Sequence, residues 1–119
     1  MPKLEGEQTL MRIFTGESDR WHGRLVYEAV VETLRREGFY GATVLKGAMG
    51  FGARSVMHSE KFLRLSNDLP VVIEVIEQQE KIDKILPRLD EMIQGGMVTL
   101  EKVRVIRYIK NDVLRGKES

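Results

Sequence analysis

The sequence predicts an α/β (α+β) chain: a ferredoxin-like βαββαβ sandwich, with four antiparallel strands, both helices on one face, and a long loop between the second and third strands. Three observations predict it. Strand-like and helix-like segments follow one another as β-α-β, a long irregular stretch, then β-α-β again. The two halves resemble each other in order. The 119 residues include no cysteine, so a single domain of this size must be held by its own core. The domain is expected over residues 1–110, with a loose tail over 111–119.

The first strand is "QTLMRIF", Gln8 to Phe14, with Met11 and Ile13 on one face and Leu10, Arg12 and Phe14 on the other. "GESDRWHG", Gly16 to Gly23, is polar and rich in turn formers, so it reads as a loop. From about Arg24 to Glu37, Leu25, Val26, Ala29, Val30 and Leu34 recur at helical spacing, Glu32 stands four residues before Arg36, and Gly38 follows as a cap. "GATVLK" is the second strand. The stretch from Gly47 to Leu69 is long for a compact domain, and such loops usually carry function. Inside it, Ser66-Asn67-Asp68 before Pro70 is a turn signal. "PVVIEVIE" is the clearest strand in the chain. Ile82, Ile85, Leu86, Leu89, Met92 and Ile93 then form one helical stripe, which keeps its phase past Pro87 and so implies a kink rather than a break. "QGGM" ends that helix, and "VTLEKVRVIRY" is the last strand.

Strand parity predicts the uncovered sheet face. It gathers Leu10, Arg12 and Phe14, then Val72, Glu74 and Ile76, then Lys102, Arg104, Ile106 and Tyr108. A face that mixes large apolar groups with charges of both signs suits an interface between copies of the chain. Within it Arg12, Glu74 and Arg104 would neutralise one another.

The balance of 19 basic and 18 acidic residues gives a net charge of +1 and no electrostatic case for nucleic acid as a partner. No apolar run is long enough to span a bilayer, and the N-terminus lacks the apolar core of a secretory signal, so a cytoplasmic location is expected. His22 and His58 are the only histidines; with Glu17 or Asp19 they match no metal-ligand spacing, so no metal site is assigned. Trp21 reads as a core cap rather than a stacking platform. No nucleophile, base and oxyanion set is visible, so the chain reads as a binding module and not an enzyme.

Two glycine-rich segments draw interest. "LKGAMGFGARS" ends a strand on Lys46 and continues through Gly47, Gly50 and Gly52. Backbone N–H groups in such a turn can form an anion-binding concavity with Lys46 at its mouth; equally, the glycines can serve only to shape a bend. Gly95-Gly96 reads first as a helix cap, although in this architecture two such loops can meet across a subunit boundary.

"GESDRWHG", "GATVLKGAMGFG", "LSNDLPVVIEVIE" and "GGMVTLEKVRVIRY" together resemble, over about Lys3 to Tyr108, the family called domain of unknown function 190. That family looks like the nitrogen-regulatory PII proteins and, more distantly, the CutA proteins. The resemblance implies a homotrimer with an adenine nucleotide (AMP, ADP or ATP) bound between subunits, and a mobile loop over 47–69 that reports it to a membrane transporter or enzyme target. It implies a site of Lys46, Gly47, Gly50, Phe51 and Gly52, with Gly95, Gly96 and Met97, and with Thr15 and Gly16 nearby. The chain departs from PII by having "QGGMVTL" where PII has a phosphate loop with aspartate and lysine, and by lacking the tyrosine-bearing loop that PII modifies. Strong ATP binding and uridylylation are therefore not expected, and no cofactor is required. The alternatives are an ACT-like effector-binding domain, a CutA-like metal-tolerance protein, and an RNA-binding domain. The last lacks aromatic residues on its third strand.

Overall fold

The computed structural model describes residues 4–51 and 68–109. Its centre is β1, Gly6–Gly16, flanked by β5, Pro70–Glu77, on one side and β6, Met97–Val105, on the other; β4, Thr43–Lys46, completes the sheet outside β5. The order β4-β5-β1-β6 is antiparallel throughout. α1, Val26–Arg36, and α2, Gln79–Met92, cover one face of this sheet. This is the predicted α+β sandwich.

The core follows from alternation. Met11 and Ile13 of β1 stand opposite Val75 and Ile73 of β5, on the face the helices cover, and all four are almost fully buried. Val26, Ala29, Val30 and Leu34 of α1 and Ile82, Ile85, Leu89 and Met92 of α2 close over them. α2 runs unbroken through Pro87. Trp21 packs half-buried against this core, as a cap.

The polar segment after β1 holds more structure than its composition suggests. Arg20–Trp21 (β2) and Arg24–Leu25 (β3) pair as a two-residue ladder, turning at His22 and Gly23. The Pro87 helix ends at Met92, and Ile93 is its C-cap.

At the other end of the sheet, a buried carboxylate joins two corners. Glu77 accepts the backbone N–H of Tyr40 at 3.1 Å and that of Gln78 at 3.1 Å. Lys81 lies 3.8 Å from the same carboxylate and donates to the Gly38 carbonyl at 2.6 Å. The connector after α1 is thereby fixed to the start of α2.

The register corrects one expectation. Leu10, Arg12 and Phe14 do share the uncovered face with Ile76, Glu74 and Val72. In β6, however, the residues opposite Leu10, Arg12 and Phe14 are Glu101, Thr99 and Met97. Lys102 and Arg104 therefore lie on the other face, and Ile106 and Tyr108 lie beyond the strand. Arg12 bonds Glu74 at 2.8 Å and Glu101 at 2.7 Å, so its second partner is Glu101 and Arg104 plays no part. Both carboxylates hold the Arg12 guanidinium above its ordinary pKa, the hydrogen bond to Glu74 most strongly.

Candidate functional site

Three segments converge where β1 ends and β5 begins: residues 16–19, residues 46–51 and residues 68–70. The backbone binds them together. Glu17 N–H donates to the Leu69 carbonyl at 2.8 Å, and Gly47 N–H donates to the Pro70 carbonyl at 2.7 Å. Asp19 folds back to accept Gly16 N–H at 3.0 Å. Asp68 accepts Ser18 N–H at 3.3 Å and its hydroxyl at 2.9 Å. The turn after β1 is thus tied to both stems of the connection between β4 and β5.

Lys46 ends β4 and faces the helix side, in one row with Val71 of β5 and Thr15 of β1. Its ammonium lies 2.5 Å from the Glu17 carboxylate. That hydrogen bond first, and the charge of Glu17 second, hold the lysine above its ordinary pKa. Thr15 is buried, and its hydroxyl makes no hydrogen bond among the described residues. Gly47 lies under Pro70, where a Cβ would stand 2.7 Å from the proline ring, and Gly50 packs on the same ring. The close approach to Pro70 alone gives these glycines a structural reason. Met49 and Phe51 are exposed. Gly52 lies outside the described residues, as do His58, the Ser66–Asn67 part of the expected turn and the expected tail.

Gly95, Gly96 and Met97 stand at the opposite sheet edge. Gly96 adopts φ +143° directly against β1: a Cβ there would lie 2.2 Å from the Phe14 carbonyl oxygen. Gly96 and Met97, with Val98, Leu86, Pro87 and Ile93, line a groove of about 500 Å³ between α2 and β6, rimmed by Asp83 and Asp90. This groove does not include Lys46. Because β5 and β1 separate β4 from β6, the two glycine-bearing groups are three strand spacings apart, roughly 14 Å, within one protomer. The sequence-derived set therefore divides across the sheet. Lys46, Gly47, Gly50 and Phe51 fall at the β4 edge, Gly95, Gly96 and Met97 fall at the β6 edge, and Thr15 and Gly16 stand between them at the end of the interior strand β1.

Glu17 is the residue that reading the sequence missed as a partner of Lys46. Its position beside Ser18 and Asp19 in a turn-forming segment was the available signal. Among the described residues no group of three or more His, Asp or Glu side chains is placed to hold a metal ion. His22 is exposed and packs edge-on against Trp21, with ring centroids 4.3 Å apart.

Three comparisons bear on this arrangement. A solved structure of a candidate PII-like signalling protein from Thermus thermophilus superposes with TM-score 0.57 at 25% identity, covering 95% of each chain. CPII of Thiomonas intermedia K12, a nitrogen regulatory PII-like protein solved with ADP, AMP and bicarbonate, gives TM-score 0.59 at 16% identity, covering 83% of this chain and 94% of that one. The second likeness is one of fold. In sequence, the chain is 38% identical over 99 residues to a UPF0166 protein of Methanocaldococcus jannaschii, covering 82% of this chain and 91% of that protein. It is 37% identical over 103 residues to a UPF0166 protein of Aquifex aeolicus, covering 84% and 94%. A sequence model for uncharacterized ACR, domain of unknown function 190, matches residues 8–105. With that match spanning both helices and all of the sheet but the first two residues of β1, and with relatives this similar over most of their length, the chain belongs to the domain of unknown function 190 family.

Proposed function

We propose that this chain is a PII-like regulatory protein of the cytoplasm, a binding module rather than an enzyme. Its ligand is an adenine nucleotide held in clefts between the subunits of a homotrimer. One observation carries the reading. The Lys46 group and the Gly95-Gly96 group lie at opposite edges of one sheet, so neither forms a closed cleft alone, and a second copy placed edge to edge would bring them together. Both edges carry exposed apolar side chains, Val44 and Leu45 at one and Met97, Val98 and Leu100 at the other. Such edges favour a partner over solvent. The nucleotides found with CPII support the choice of ligand. In this reading Lys46 contacts phosphate, the Gly95–Met97 turn lines the far wall, and the connection between β4 and β5 reports occupancy to a transporter or enzyme.

Native mass spectrometry of protein purified without added nucleotide tests stoichiometry and carried ligand together. It should give a trimer mass with up to three nucleotides. Calorimetry should find AMP or ADP binding, and Lys46→Ala should weaken it about tenfold or more through loss of a charge-assisted contact. If none of AMP, ADP or ATP binds at millimolar concentration, the nucleotide reading falls, and an amino-acid panel then tests the effector-domain alternative.

A further inference from the structure

The charge around Lys46 points to a selection rule for the ligand, a step that rests on the nucleotide reading above. Residues 16–19, 46–51 and 68–70 together hold one cation, Lys46, against three carboxylates, Glu17, Asp19 and Asp68. The three carboxylates have different duties. Asp19 and Asp68 hold the turn by accepting backbone N–H groups, and Asp68 also accepts the Ser18 hydroxyl. Glu17 does neither: among the described residues its side chain has Lys46 as its only partner, at 2.5 Å. Its main chain is fixed by the bond from its N–H to Leu69. Glu17 is mostly buried, whereas the Lys46 side chain is half exposed. The carboxylate is therefore the stationary member of the pair and the ammonium the movable one.

We propose that Glu17 is a specificity-determining residue that limits how much negative charge the site accepts. A phosphate that takes Lys46 competes with the Glu17 carboxylate for the ammonium's three donors, and the tied backbone keeps that carboxylate close by whether or not it yields its contact. The ligand then meets Lys46 together with a partly buried negative charge, and Asp19 and Asp68 stand behind it. Among this protomer's described residues in the three segments, each further phosphate adds repulsion without meeting another cation. The site thus takes mononucleotides in preference to triphosphates when no divalent cation accompanies the phosphates. Its affinity for anions also does not fall steeply with salt, because the carboxylates offset the attraction of Lys46.

Calorimetry with AMP, ADP and ATP in chelator, on the wild type and on Glu17→Gln, tests this. The wild type should bind in the order AMP, ADP, ATP. Glu17→Gln should raise ATP affinity about tenfold or more and AMP affinity about threefold or less, compressing or inverting the order. A merely structural role for Glu17 would weaken all three alike. That result, or an unchanged order, overturns the inference while leaving the nucleotide site standing. If neither protein binds any of the three, the nucleotide reading falls and this inference falls with it. A measurement on the wild type alone covers a variant that does not fold. ATP affinity between about 50 and 200 mM KCl should fall by less than about twofold, and a steep fall overturns the inference.

Discussion

At the scale of single residues, Gly96 and Lys46 are both more constrained than their neighbours in sequence suggest. A side chain at Gly96 would meet the Phe14 carbonyl oxygen at 2.2 Å from its own Cβ, and φ +143° disfavours any L residue there. Gly96→Ala should therefore lower stability by about 2 kcal/mol or more, read as a lower midpoint in urea unfolding or a lower Tm, before any ligand is involved. A variant at this glycine reports folding first, so it is a poor probe of nucleotide contact. Lys46 is not a free cation but one already held by Glu17. The glycines and the lysine stand plainly in the sequence. Their reasons do not, because Phe14, Pro70 and Glu17 reach them only through the sheet and its connections. Sequence spacing reports local periodicity, and these are contacts between distant segments.

At the scale of elements, the most legible were those whose side chains alternate cleanly. "PVVIEVIE" reads as β5 because Val71, Ile73, Val75 and Glu77 fall on one face and the intervening residues on the other. β6 was legible as a strand but not in phase. Both of its faces carry charges, so composition cannot say which one the helices cover; only the pairing with β1 does. The β2–β3 pair was not legible, since strands of two residues leave no periodicity to count. Glu77 is the exception within β5: a fully buried carboxylate at a position the pattern assigns to the core. Its two backbone bonds join the connector after α1 to the start of α2. Glu77→Ala would leave Tyr40 N–H, Gln78 N–H and Lys81 without that acceptor. It should cost about 2–4 kcal/mol in chemical denaturation, with circular dichroism following both helices together.

At the scale of the whole molecule, the proposed assembly rests on the sheet face away from the helices and on the two sheet edges. Arg12 sits at the middle of that face and holds Glu74 and Glu101 at once. Glu74→Leu leaves it one carboxylate, whereas Arg12→Leu leaves two carboxylates facing each other. Arg12→Leu should therefore disrupt assembly more, shifting sedimentation from the trimer toward the monomer at micromolar concentration. A monomeric wild type under the same conditions would end the trimer proposal. Because the two loop groups stand apart across the sheet, the binding cleft of the proposed trimer does not exist in the monomer, so ligand occupancy and subunit association share one free energy. Nucleotide then acts as an adhesive: it should lower the protein concentration at which subunits associate, and dilution should weaken apparent nucleotide affinity. The proposed trimer would thus respond to its own abundance as well as to its ligand, and a cell would silence it by limiting synthesis without altering nucleotide levels.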